Sequence, residues 1–238
     1  PAAVASGGHA DHVGVHEQKD GRRYVGLAPV VGRVSGTTLL GLADAVEAAG
    51  SGRIALTPHQ KLVVLDVDPD RVDALLETAE GLGLTATPGP FRRNTMACTG
   101  IEYCKLAFVD TKDTATAAVK VLDNKLADLG LDVPITLNVN GCPNSCARIQ
   151  TADIGLKGQI AKSPDGDDEF AFQVHLGGGL ASADREDAGL GRTLRGLKIT
   201  ADEMPEYVER VTRRFAAERT EGESFATWAH RADEESLR

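Results

Sequence analysis

Large aromatic side chains are scarce in this chain of 238 residues, with one Trp, three Tyr and six Phe. Its cores must therefore be built from Val, Leu, Ile and Ala. Positive charge is also in short supply: 26 Lys and Arg face 35 Asp and Glu, a formal charge of -9. That balance favours solubility and excludes a broad nucleic-acid surface. No apolar run approaches the roughly 20 residues needed to cross a bilayer, which excludes a membrane-spanning helix. The opening PAAVASGGHADH has neither the basic n-region nor the apolar h-region of an export signal, so a reducing cytoplasm is the expected compartment. Cysteines number only four. In that compartment, clustered cysteines are more often metal ligands or catalytic thiols than disulfides.

The length allows one large domain or two ordinary ones. Residues 1–20 read as an irregular arm rich in Gly, His and Asp. Structure begins with a strand in YVGLAPVVG, followed by a helix capped by Ser35 and stopped at Gly50. RIALTPHQ and KLVVLDV read as two strands joined by a turn at Pro58 and His59. Asp68 and Pro69 open a second helix, and LTATPGPF supplies an irregular sixth element. The order βαββαβ is that of a ferredoxin-like split βαβ unit over residues 21–90. The fold class is thus α+β, with a second, α/β unit over residues 91–238. There Asp113 is expected to cap a helix whose inner stripe is Ala118, Val121, Leu122, the Lys125 stem, Leu126 and Leu129, ended by Gly130. Val133, Ile135, Leu137 and Val139 alternate as in a half-buried strand. ADIGLKG predicts another strand. The acidic turn SPDGDDE then leads to FAFQVHLGG, with Phe170, Phe172, Val174 and Leu176 on one face. Thr200 and Glu203 form a capping box for a closing helix through Arg219, and the tail beyond it carries the only Trp.

All four cysteines lie in two tight loops: Cys98 and Cys104 in MACTGIEYC, then Cys142 and Cys146 in NGCPNSC. Buried thiols, disulfides and a structural zinc are all conceivable, but zinc prefers tighter pairs than C-x5-C. Four thiolates from two loops suit a cubane iron–sulfur cluster. Gly100 and Gly141 let backbone approach an inorganic cage. Pro143 at a first helical position would aim the N–H groups of Asn144, Ser145 and Cys146 at Cys142, placing both cysteines of the second pair on one helical turn.

MACTGIEYC and NGCPNSC, with 37 residues between Cys104 and Cys142, resemble the cluster signature of the ferredoxin-type, sirohaem-dependent nitrite and sulfite reductases. GVHEQKDGRRYVGLAPVVGR and RIALTPHQ resemble that family's ferredoxin-like half-domain. The resemblance implies a six-electron reduction of sulfite or nitrite in which a [4Fe-4S] cluster is bridged to sirohaem through a shared thiolate. By position in the motif, Cys146 is the bridge and catalytic ligand, and Cys98, Cys104 and Cys142 complete the cluster. Sirohaem is rich in carboxylates, so its pocket needs cations and amides. Asn144, Arg148, Arg92, Arg93 and Gln60 are the expected contacts, with Lys61 a weaker candidate whose alternative is a solvated strand end. A whole enzyme of this family has two pseudo-repeats, and only the second, cluster-bearing one is matched. The chain is therefore expected to be a C-terminal half that needs the N-terminal half of the same enzyme for activity. A ferredoxin is the expected electron donor and a small oxyanion the substrate. The rivals are a [4Fe-4S] electron-transfer module and a corrin-biosynthesis enzyme.

Other constellations read more plainly. His9, His12 and His16 suit a solvated arm better than a metal site, and His59 a turn. HLGGGL offers backbone donors to an anion, or a simple glycine turn. Arg210, Arg213 and Arg214 could receive an acidic donor protein, but Glu206 and Glu209 stand at ion-pairing spacing to Arg210 and Arg213, which favours a solvated, salt-bridged face.

Overall fold

The computed structural model describes residues 11–163, 165–181 and 188–238. His9 lies outside them. The chain divides into two compact units, Pro1–Arg93 and Asn94–Arg238.

The first unit is a four-stranded antiparallel sheet carrying two helices. Its strands are β1 (Gly14–Glu17), β2 (Arg23–Leu27), β3 (Arg53–Leu56) and β4 (Leu62–Val67), in the order β1-β2-β4-β3. Helix α1 (Gly36–Ala48) starts at Ser35, whose Oγ accepts from Thr38 N at 3.0 Å, and helix α2 is Val72–Gly81. Between them the helices bury Leu42, Val46, Leu75 and Ala79 against Val25, Leu27, Val64 and Val67 of the sheet. Each such aliphatic side chain contributes roughly 1.5–3 kcal/mol on burial. The segment expected to be an irregular arm contains β1. His16 stacks on Tyr24 with ring centroids 4.5 Å apart, and Val13 and Val15 are buried. The sixth element of the βαββαβ order is an isolated bridge, Thr85 to Ala28. The edge of β2 is occupied by β1 instead, which pairs with it from Gly14↔Gly26 to Glu17↔Arg23. Lys61 is not a solvated strand end: it is 2% exposed, and its Nζ donates to His59 O at 2.9 Å. A short helix, α3 (Pro90–Asn94), closes the unit.

In the second unit, a five-stranded sheet runs β5 (Thr95–Ala97), β6 (Leu137–Asn140), β7 (Ile154–Lys162), β8 (Asp168–Leu176), β9 (Arg192–Ile199), in that spatial order. The first three strands are parallel and the last three antiparallel. Helix α4 (Lys112–Lys125) begins after Thr111, with Asp113 in its first turn rather than at its cap. Of the expected stripe, Ala118, Leu122 and Leu126 are buried, but Ala115 and Val119 join them in place of Val121, which is 37% exposed. Strand β6 is not half-buried. It lies between two parallel neighbours, and all four of its residues are buried, including Asn138 and Asn140. Parallel strands are covered on both faces, so alternation disappears where the sheet is most central. The capping box is present, with Thr200 N donating to Glu203 Oε2 at 2.8 Å and Glu203 N to Thr200 Oγ1 at 3.3 Å, and α5 follows at Met204–Glu218. The tail forms a further helix, α6 (Phe225–Arg231), capped by Ser224. Trp228 packs edge-on against Phe215 and Phe225, and its Nε1 donates to Glu218 Oε2 at 3.1 Å.

Candidate cluster site

The two cysteine loops leave the same ends of adjacent strands. β5 runs straight into Cys98, whose N–H donates to Val139 O at 3.0 Å, and β6 runs into Gly141 and Cys142. A parallel pair therefore delivers both loops side by side, and they interlock. Phe108 N donates to Gly141 O at 2.8 Å, and Gly141 N donates to the Cys98 sulfur at 3.2 Å. That N–H stabilises negative charge on the thiolate from the neighbouring loop. Gly141 admits no side chain here, because a Cβ would lie 2.8 Å from Ala107 Cβ. Gly100 is excluded from change twice over: its φ is +70°, and a Cβ would lie 2.5 Å from Thr111 Oγ1. Thr111 is fully buried. Its hydroxyl donates to Cys98 O at 2.7 Å and stands 3.8 Å from the Cys98 sulfur.

The second loop is not the helical turn expected from Pro143. Ser145 has φ +57° and Arg148 φ +56°, left-handed conformations through which a right-handed helix cannot continue. Two successive turns form instead, closed by Arg148 N to Ser145 O at 2.8 Å. Their template is Asn140, whose side chain is entirely buried. Its Oδ1 accepts from Ala147 N at 2.6 Å and its Nδ2 donates to Cys142 O at 3.3 Å, so one amide spans the loop from Cys142 to the residue after Cys146. The short turn Ile149–Thr151 then lies directly on β7. A Cβ on Gly155 would come within 2.0 Å of Ile149 O.

The cysteines differ in exposure. Cys142 is buried, Cys98 and Cys104 are intermediate, and Cys146 is exposed. Thiolates around one tetrahedral zinc would stand about 3.8 Å apart, given Zn–S bonds near 2.3 Å. Among the described residues, no three His, Cys, Asp or Glu side chains gather about a single ion position. A cubane makes a different demand, one thiolate per iron. The loops meet that demand with four sulfurs, a donor N–H on one of them, and glycines where backbone must come close.

Asn144 is exposed at the tip of the second loop. Arg148 lies under the same loop, its Nη2 donating to Met96 Sδ at 3.4 Å and its carbonyl accepting from Asn138 Nδ2 at 3.3 Å. The other three expected contacts belong to the first unit. Arg92 donates to Ala28 O at 3.0 and 2.7 Å and to Gly83 O at 2.6 Å. Arg93 forks onto Asp11, at 2.7 and 2.8 Å. Burial alone would raise the Asp11 carboxyl, but the Arg93 bonds, the Val13 N–H and the Lys61 charge outweigh it and hold the pKa below its ordinary value. Gln60 sits in the turn between β3 and β4 with φ +57°. Asn140 and Thr111 were not singled out from the sequence, although Asn140 opens the very stretch NGCPNSC.

The alternative sites are absorbed by ordinary structure. In HLGGGL the glycine N–H groups are already donated, Gly177 to Asp153 O at 2.8 Å and Gly178 to Ala152 O at 2.9 Å, so a glycine turn accounts for them. On α5, Arg213 pairs with Glu209 and Asp128, and Arg214 with Glu218. Arg210 donates to the carbonyl of Arg238. No helix among the described residues is long and apolar enough to cross a membrane.

Comparison with known proteins converges on one family. Residues 88–238 match the nitrite and sulphite reductase 4Fe-4S domain, and residues 16–82 the nitrite/sulfite reductase ferredoxin-like half domain. A relative named sulfite reductase [ferredoxin] 2, from Mycolicibacterium paratuberculosis, is 54% identical over 230 residues, 96% of this chain and 41% of the relative. An assimilatory ferredoxin-dependent nitrite reductase from Haloferax mediterranei is 38% identical over 94% of this chain and 37% of its own length. The solved structure of Mycobacterium tuberculosis NirA protein superposes with a TM-score of 0.93 at 51% identity, covering 100% of this chain and 43% of that one. The chain thus spans about two fifths of the relatives it matches. It belongs to the nitrite and sulphite reductase family, pairing a ferredoxin-like half-domain with the [4Fe-4S] domain, and its cofactors are a [4Fe-4S] cluster and sirohaem.

Proposed function

We propose that this chain is the cluster-bearing part of an assimilatory, ferredoxin-dependent reductase that converts sulfite to sulfide or nitrite to ammonia. Sulfite is the first substrate to test, because the relatives at 52–54% identity carry sulfite reductase names and those at 33–38% nitrite reductase names. The same names favour a reductase over a simple electron-transfer module or a corrin-biosynthesis enzyme.

When bound, the two cofactors supply the electron store and the metal centre at which an oxyanion is reduced. The chain's own residues hold and orient them. Cys98, Cys104 and Cys142 are the ligands we assign to the cluster alone. Cys146 is the thiolate we assign as the bridge, and the observation that carries this is its exposure: it is the exposed one of the four cysteines. Cys142 is buried and Cys98 and Cys104 are partly covered, whereas the exposed Cys146 is free to reach a second centre beyond the cluster. Asn140 fixes the backbone on either side of it. Asn144 and Arg148, before and after Cys146, are the polar groups we propose for the tetrapyrrole edge. Arg92, Arg93 and Gln60 of the first unit are proposed as cofactor contacts on the family resemblance alone. The remaining part of the longer enzyme would supply the rest of the tetrapyrrole pocket and the anion site.

The test compares Cys98→Ser with Cys146→Ser after anaerobic reconstitution, reading iron, acid-labile sulfide and the visible spectrum, with the rest of a longer relative added as a separate piece. Loss of cluster absorbance in Cys98→Ser is expected, together with altered sirohaem bands in Cys146→Ser. Sirohaem bands that are unchanged in Cys146→Ser would refute the bridge. Zinc and no colour in the wild type would refute the whole reading.

A further inference from the structure

One face of the five-stranded sheet carries charge that no part of the site described so far uses. Register places Asn138, Gly155 and His175 in one row across β6, β7 and β8, and Asn140, Lys157 and Gln173 in the next. Thr193 and Lys198 extend the two rows onto β9. Side chains alternate between faces along each strand, so these residues share a face. The two rows contain two lysines, a histidine and four amide or hydroxyl side chains, and no Asp or Glu, in a chain whose formal charge is -9.

Lys157 and His175 each keep a polar atom without a partner among the described residues. Lys157 is half-buried and makes no hydrogen bond or ion pair among the described residues. His175 is 7% exposed. Its Nδ1 meets Thr193 Oγ1 at 3.0 Å, while Nε2 is sealed from solvent with no partner. An unpaired buried nitrogen is costly, so a ligand, or a water it orders, that completes this bond is favoured. Register makes Lys157, opposite Gln173, and His175, two residues further along β8, diagonal neighbours on one face; burial, and then the Lys157 charge, lowers the His175 pKa. Lys157 also lies one strand from Asn140, the residue that holds the Cys146 loop by both ends of its amide.

We infer that Lys157, backed by His175, forms an anion subsite on this sheet face for a carboxylate at the edge of the tetrapyrrole seated at Cys146. The inference rests on the proposed function for its ligand and on the lysine–histidine pair for its place. Lys157 supplies the charge and His175 acts as a positioning residue behind it. A lysine ammonium suits a single carboxylate approached from varying angles, in contrast to the fixed fork of an arginine.

The test uses the 238-residue chain and metal-free uroporphyrin, a carboxylate-rich porphyrin that cannot form a bond to a thiolate. Binding is followed by porphyrin fluorescence, and the His175 ring by 15N NMR. Saturable binding that shifts the His175 resonances is expected. It should weaken at least tenfold in Lys157→Met and recover in Lys157→Arg. His175→Gln, checked for folding by circular dichroism, should weaken binding less than Lys157→Met. Failure of the wild type to bind, or equal binding by Lys157→Met, would overturn the subsite. So would inorganic phosphate or acetate producing the same His175 shifts at the same concentration as the porphyrin, since the site would then be a general oxyanion site. Because the probe holds no metal, these outcomes are independent of whether Cys146 bridges a cluster and a haem.

Discussion

Asn140→Ala is the substitution through which the cluster site can be tested most directly. The wild-type amide is fully buried and makes two bonds, one from Ala147 N at 2.6 Å and one to Cys142 O at 3.3 Å. Removing it forfeits the bond to Ala147 N, worth about 1 kcal/mol net, and leaves the N–H of buried Ala147 without an acceptor, a penalty of about 1–3 kcal/mol. The longer contact to Cys142 O adds little, so the loop as a whole should lose about 2–4 kcal/mol. If the cluster escapes through opening of this loop, the open population rises roughly 30- to 700-fold at about 1.4 kcal/mol per factor of ten. The assay is the decay of cluster absorbance under a chelator, wild type against variant, with a urea denaturation series in parallel. Asn140→Asp adds a control. It keeps the acceptor for Ala147 N but sets a carboxylate against the Cys142 carbonyl, so it should fall between wild type and Asn140→Ala both in stability and in cluster lifetime. Cluster lifetime and urea midpoint both indistinguishable from wild type in Asn140→Ala would refute the claim that this amide holds the loop.

Gly155→Ala would place a Cβ 2.0 Å from Ile149 O, against backbone that cannot yield; a fall in thermal midpoint and in soluble yield is expected, and an unchanged midpoint would disprove the close packing. For His175, whose folded pKa is lowered, the unfolded chain binds more protons below about pH 6.5. Stability should therefore decline from pH 7.5 to pH 5.5 in the wild type and decline less in His175→Gln, measured as urea midpoints; parallel lines would contradict the shift. Arg93→Met removes the fork onto Asp11. Since the Asp11 carboxyl is held low in the fold, its contribution is present above about pH 3.9 and lost as pH falls towards its folded value; the variant should be less stable at pH 7 and unfold at a higher pH during acid titration. Thr111→Val takes the hydroxyl from Cys98 O; the expected result is a lower melting temperature with wild-type iron content, whereas an unchanged melting temperature would mean the hydroxyl does not brace the loop.

The sequence by itself determined the middle of the first unit, from β2 to α2, and the start of α5 in the second, because caps and turns are local chemistry. Ser35 and the Thr200–Glu203 box act within a few residues, and so could be read directly. It also determined the cluster chemistry, since four cysteines in two glycine-bearing loops leave few other uses. Tertiary structure decided what depends on distant partners. Alternation in β6 vanishes because the second cysteine loop folds over the face that carries Asn138 and Asn140 and buries it, which no window around residues 137–140 reveals. The second cysteine loop forms two left-handed-containing turns rather than a helix because Asn140, on the strand beneath, captures Ala147 N–H. β1 emerges from the polar arm because the edge of β2 offers it a ladder and Tyr24 a stacking surface for His16. The unequal exposure of the four thiols, and the unpaired Lys157 beside His175, likewise exist only once strands far apart in the chain come into register.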